Sequence, residues 1–182
     1  MFIKNTLIML LSLLLTGCLI ASALIVSAVG VTVIAIDGDD EEKEVLLCIQ
    51  EKLIDVNNYR LLLMSYHQDA LLLGQVENTV LKEKVVEFAQ TCQQYEFFYH
   101  NLEVDPLSNK KEMSKDSVIT HKIKQCVTDI EGMNESDINL TTEKSIVYLL
   151  GRLETDNEEK VLHCIQNITG VEGIVNYIKR RE

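Results

Sequence analysis

Tryptophan is absent from the 182 residues, proline occurs once, and positive charge is scarce: 17 lysines and arginines stand against 28 acidic residues, a formal net charge of −11. Such an acidic surface repels phosphates, which excludes nucleic acid as a partner. The chain also lacks the arrangements that carry chemistry: there is no Gly-x-Ser-x-Gly elbow, no phosphate-cradling glycine loop and no His-Glu pair at helical spacing. Its four histidines, His67, His100, His121 and His163, lack the spacing that builds a zinc site, and His163 beside Cys164 would project about 100° apart on a helix. Acidic pairs such as Glu41-Glu42 and Glu158-Glu159 read as solvated helix ends that favour the positive end of the helix dipole. The expectation is a protein with no catalytic residue, metal, cofactor or small-molecule substrate.

What is present begins at the N-terminus. Lys4 precedes an apolar run from Leu7 to Leu15, and Leu15-Thr16-Gly17-Cys18 follows with the leucine, small residues and cysteine that resemble a bacterial lipobox. This reading makes residues 1–17 a signal peptide, Cys18 the site of lipid attachment, and residues 18–40 an apolar tether rich in Ala, Ser, Gly and β-branched residues. The three acyl chains of a bacterial lipoprotein exceed the two-signal threshold for stable anchoring. Leu19 is not the aspartate that resembles an inner-membrane retention signal, so outer-membrane sorting is expected. A competing reading is open: residues 7–36 carry no charge and are long enough to span about 30 Å of hydrocarbon as one uncleaved helix. Both readings leave the chain after Asp37 facing the periplasm.

Pro106 lies in a polar stretch, Glu103 to Lys115, without sustained apolar periodicity. It reads as a linker (104–115) between two domains, 41–103 and 116–182. In the second half, Ile119, Ile123, Cys126, Val127 and Ile130 recur at helical spacing, and Gly132 supplies a C-cap. Strands at 137–142 and 145–154 follow, then a helix opened by a Thr155/Glu158 capping box, then a strand at 171–179. The first half repeats this order: a helix over 42–54, strands over 59–66 and 70–77, a helix over 80–93 and a strand over 95–103. The segment from Leu71 to Glu77, with Gly74, matches that from Tyr148 to Glu154, with Gly151, as two copies of one domain would. A glycine inside a strand marks a bulge or the close approach of another backbone.

The runs Leu61-Leu62-Leu63-Met64, Leu71-Leu72-Leu73 and Ile146 to Leu150 are apolar on both strand faces, whereas a half-exposed antiparallel strand alternates. The second sheet face is therefore expected to be covered by the partner domain, making one body. Cysteines Cys48, Cys92, Cys126 and Cys164 place one thiol on each expected helix, and an exported chain meets oxidising machinery. Two intradomain disulfides are one reading; small hydrophobes filling core positions are the other.

At Asp116-Ser117-Val118-Ile119, Leu149-Leu150-Gly151-Arg152-Leu153 and Thr169 to Asn176, the chain resembles the BON domain, a small αββαβ module of bacterial envelope proteins. The first copy departs at Gln94 to Tyr99, which lacks the Gly-Val pair. The implied fold is α+β: two tandem αββαβ BON-like domains, each a three-stranded sheet packed with two helices. The order of lipobox, tether and two such domains is similar to that of dual BON-domain outer-membrane lipoproteins. The resemblance implies a non-enzymatic envelope lipoprotein that supports outer-membrane integrity. Phospholipid, including anionic lipid, would bind the second domain around its first helix, here Val118, His121, Lys122 and Lys124. It also implies a link to the β-barrel assembly machinery, and the alternative function is a protein-binding adaptor located by its anchor.

Overall fold

The computed structural model describes residues 26–28, 31–36 and 40–181. The expected signal peptide 1–17 and Cys18, the expected site of lipid attachment, lie outside these residues. The first half contains the strands β1 (Val26–Ala28) and β2 (Val31–Ala35), the helix α1 (Asp40–Lys52) and the hairpin β3 (Tyr59–Tyr66) and β4 (Asp69–Val76). The helix α2 (Thr79–Cys92) and the strand β5 (Phe97–Val104) complete it. In the second half come the helix α3 (Lys110–Thr128), the hairpin β6 (Ile138–Glu143) and β7 (Ile146–Leu153), the helix α4 (Thr155–Gln166) and the strand β8 (Gly173–Arg180). The order αββαβ therefore occurs in both halves. The sheets run β1-β2-β3-β4-β5 and β6-β7-β8.

Both hairpins turn on two residues and share one register. Leu61, Leu63 and Gly74 each precede Ile138, Leu140 and Gly151 by 77 positions and hold the same places in the ladder. The paired glycines are there for close approach: a Cβ on Gly74 would stand 1.9 Å from the Arg60 carbonyl oxygen, and one on Gly151 would stand 2.7 Å from that of Asp137. No side chain fits at either place.

Four readings depart from the structure, one of them the C-cap of α3, which is Asp129 and not Gly132. The tether 18–40 contains β1 and β2, because Val31, Val33 and Ala35 pair in parallel with Tyr59, Leu61 and Leu63 and bury beneath α1. Flexible composition gave way to a buried position within the sheet, between β1 and β3. The linker 104–115 is shorter than expected, because α3 starts at Lys110: Asn109 accepts from the backbone of Lys111 and Glu112, and Glu112 accepts from that of Asn109. This reciprocal cap starts the helix nearly two turns before its first buried residue, Asp116. The Thr155/Glu158 capping box does not form. Glu154 is the N-cap residue of α4 and makes no side-chain cap bond, so Thr155 lies inside the helix.

Each sheet buries one face under its own helices. The other faces meet: Leu62, Met64, Tyr66, Leu71 and Leu73 of the first sheet pack with Tyr148 and Leu150 of the second. This accounts for strands apolar on both sides. The Tyr99 and Tyr177 rings stack across the join at 4.8 Å between centroids, and Lys179 donates to Asp69 at 2.7 Å while lying over Phe97.

At the opposite end of the sheets a buried polar hub crosses the interface. Glu143 accepts from Arg60 Nε at 3.0 Å and Nη2 at 3.1 Å, from Gln75 at 2.9 Å and from the Ser108 hydroxyl at 2.7 Å. Gln75 in turn accepts the Ser108 backbone N–H. One carboxylate thus gathers β3, β4, the linker and β6. Burial alone would push the Glu143 carboxyl up, but the guanidinium of Arg60 and the donors on Ser108 and Gln75 hold it below its ordinary 4.5.

Cys48 and Cys92 Sγ are joined at 2.04 Å, tying α1 to α2, and Cys126 and Cys164 are joined at 2.03 Å, tying α3 to α4. They close sequence separations of 44 and 38 residues, which in the loop-entropy description is about 4 kcal/mol each. Unreduced, denatured residues 26–182 should therefore show none of these four thiols free, and reduction should lower the urea midpoint. Four reactive thiols without reductant would refute the pairing.

Arg60→Met should cost about 3–5 kcal/mol by leaving Glu143 buried without its cation. Because the folded pKa of Glu143 is depressed, its stabilisation is present above pH 4.5 and is lost as pH falls through the folded value. The difference in urea stability between wild type and Arg60→Met should shrink on acidification through that range. An unchanged difference from pH 7 to 3 would remove Glu143 as the cause.

Candidate membrane-facing surface

Helix α3 is amphipathic by position. Asp116, Ile119, Ile123 and Val127, spaced three and four apart, are its buried residues. The buried acid is a tie to the β6–β7 turn, where Lys144 and Ser145 adopt φ of 50° and 65°, the left-handed pair that a two-residue hairpin turn needs. Asp116 accepts the Lys144 N–H at 2.8 Å and the Ser145 N–H at 2.9 Å. Burial raises the Asp116 pKa, with the two backbone donors acting against that rise. The first domain has a counterpart in Glu42, fully buried on α1, which accepts from the Ser65 hydroxyl at 2.8 Å beside the β3–β4 turn.

The other side of α3 is wet. Val118 is 52% exposed, and His121, Lys122, Lys111 and Lys115 share its exposed ridge, within about 60° of it around the helix axis. Lys124, about 200° round from Lys122, lies on the flank instead, lining a groove between α3 and β6 with Val127 and Thr128. Thus the structure gathers Val118, His121 and Lys122 and sets Lys124 apart. It adds Lys111 and Lys115, which spacing from Val118 would have found had α3 been started at Asn109. Lys115 also reaches the Ser145 hydroxyl at 2.8 Å and Glu172 at 3.6 Å.

Five lysines (Lys110, Lys111, Lys115, Lys122 and Lys124) against Glu112 and Asp116 give α3 a net charge of +3, on a chain of net −11. By contrast, α1 carries Asp40, Glu41, Glu42, Glu44 and Glu51 against Lys43 and Lys52, a net −3. Charge is therefore segregated, with a cationic helix on an anionic body. Among the described residues no three His, Cys, Asp or Glu side chains gather to hold a metal ion, and no helix is long and apolar enough to cross a membrane.

Residues 115–182, from the middle of α3 to the end of the chain, match the BON domain family. This part of the chain is similar to a BON domain. Over 116 residues the chain is 26% identical to the outer membrane lipoprotein DolP of Haemophilus influenzae, covering 64% of this chain and 60% of that protein. The matched stretch thus spans less than two thirds of the relative's length. Two structures of CdsD, a structural protein of the type III secretion system of Chlamydia trachomatis, overlay with TM-scores of 0.34 and 0.29 at 11% and 10% identity. The first covers 76% of this chain and 98% of the CdsD C-terminal domain; the second covers 84% and 82%. The cationic ridge lies on α3, the helix in which the matched region begins, and the Asp116 tie fixes that helix to its hairpin.

Asp116→Ala should cost about 1–3 kcal/mol by orphaning two N–H groups at a strained turn, whereas Val118→Asp on the exposed ridge should stay within about 0.5 kcal/mol. Urea melts of both variants check this; equal losses would mean the ridge is packed.

Proposed function

We propose that this chain is a non-enzymatic lipoprotein of the bacterial envelope, anchored at the outer membrane through lipid on Cys18 and facing the periplasm. Its first half is a second, divergent BON domain, and the α3 ridge of its second half lies against anionic phospholipid. The observation that carries the reading is the net +3 helix with Val118 at its exposed crest on a net −11 chain. An apolar tip among lysines suits the headgroup region, where each cation is worth about 1 kcal/mol.

The path of the chain supports the same reading. Val26 opens β1 eight positions after Cys18, a reach of at most about 30 Å. In the first sheet β1 and β2 lie beyond β3, and β3 is the strand against which β6 packs. The α3 helix packs on β6, so the anchored end enters on the flank that carries the ridge. Lipid attachment would hold that flank near the bilayer. The relative's name, outer membrane lipoprotein, agrees with this placement.

Residues 26–182, which keep β1 and β2 and omit Cys18, should float with phosphatidylglycerol vesicles and be released by salt as screening shortens to a few ångströms. Lys111→Ala with Lys122→Ala should weaken binding about thirtyfold, at about 1 kcal/mol per lysine. Absence of binding at every salt concentration, or equal binding to phosphatidylcholine, would sink the lipid reading and favour a protein-binding adaptor placed by its anchor.

A further inference from the structure

The two halves share a fold and a register, yet one edge is treated differently in each. In the first half the outer edge of β3 is occupied: β2 runs parallel to it, Val31 beside Tyr59, Val33 beside Leu61 and Ala35 beside Leu63. The matching places 77 positions on are Ser136, Ile138 and Leu140. Among the described residues β6 pairs with β7 alone. Where the counterpart of β2 would lie there is a groove of about 310 Å³, lined by Ser136, Ile138, Asn139 and Leu140 on one side and Lys124, Val127 and Thr128 of α3 on the other.

A second observation comes from the facing sheet. Along β2, Val31, Val33 and Ala35 are buried under α1, whereas Thr32 and Ile34, facing the second domain, are only half-buried, as is Ile36. With β6 stacked on β3, Ile34 and Ile36 touch the edge of the intersheet core without being covered by it. The sandwich is one strand short at this corner, and the missing strand would fill the groove under α3 and cover Ile34 and Ile36 together.

The geometry points to the outer edge of β6 as a site for strand addition, occupied by an extended segment of another protein that runs parallel to β6. Its chemistry follows from its surroundings. Lying between α3 and β2, the segment must be apolar or small on both faces, as Val-Thr-Val-Ile-Ala of β2 is, and its backbone supplies the ladder that β6 lacks. Among the described residues the segment of this kind is already used on β3, and the position on β6 falls to a partner. The site is separate from the lysine ridge of α3 and does not depend on lipid recognition.

The test uses the full chain in non-ionic detergent without phospholipid. The probe is a fluorescein-labelled peptide with the sequence of residues 30–39, which carries the β2 strand. Fluorescence anisotropy should show saturable binding, and hydrogen exchange of the Ile138–Glu143 amides should slow in its presence. Thr128→Trp and Ser136→Trp, both at exposed positions in the groove wall, should each weaken binding at least tenfold without shifting the melting midpoint. A peptide with proline in place of Val33 should not bind. Failure of the peptide to bind would overturn the inference. So would binding that both tryptophans leave unchanged, the result expected if the peptide merely exchanged with β2 on the first sheet.

Discussion

The architecture depends on two sheets burying their second faces against each other. Each domain alone has a helix-covered face and a bare one, and the bare faces carry Leu62, Leu71 and Leu73 on one side and Tyr148 and Leu150 on the other. Exposed, these would form apolar patches of the kind that drive association in soluble proteins. Joined, they make the third core of the molecule. Burial is non-directional and tolerates sliding, so the contact by itself does not set the register of one sheet over the other.

Polar groups at the two ends of the sheets supply that register. At one end Glu143 collects Arg60, Gln75 and Ser108; at the other Asn139 donates to the Ser65 carbonyl, and Lys179 donates to Asp69. A slip of one residue would leave Glu143 buried without its cation, a cost of several kcal/mol against the fraction lost by repacking leucines. The same hub holds Ser108, one residue before the Asn109 cap of α3. The pairing that fixes the domains also fixes where the cationic helix begins, and Asp116 then fastens it to the β6–β7 turn. The ridge is thus set by buried interactions on its far side, and its own exposed residues are free to vary in charge without loss of fold.

Much of this was legible because it is local. Helix and strand periodicity, the recurrence of Gly74 at Gly151, and leucine runs apolar on both faces gave the element order and the joined sheets. What escaped depends on distance or on caps. Arg60 and Glu143 are 83 positions apart, and the one local hint was an arginine and a glutamine inside otherwise apolar strands. The strand β2 resembled a tether because Ala, Ser and Gly surround it; its alternation is clear only once β3 is known to lie beside it. The α3 start was missed because its first turns carry no buried apolar residue, so periodicity is silent where the Asn109–Glu112 cap acts. Of the candidate surface residues, Val118, His121 and Lys122 share a ridge, while Lys124 belongs to the opposite flank, a distinction that residue type cannot make and helical geometry can.

The two αββαβ halves are not alike throughout. The hairpin register and the paired glycines are shared, since a Cβ at either glycine would collide with the neighbouring strand. Each helix pair is bridged by cysteines, but at different places. By the alignment that matches Glu42 with Asp116 and Ile49 with Ile123, Cys126 falls opposite Lys52, not Cys48. Tying the helices was therefore a requirement that several positions could meet, whereas backbone approach in the hairpin could be met only by glycine. The edges differ most: one carries β2 and the other an open groove beside a lysine-bearing helix. The two halves thus share an αββαβ order and differ in what lies beside their first hairpin strand. The first half is closed at that edge by β2, and the second keeps the edge, together with the cationic helix, available to its surroundings.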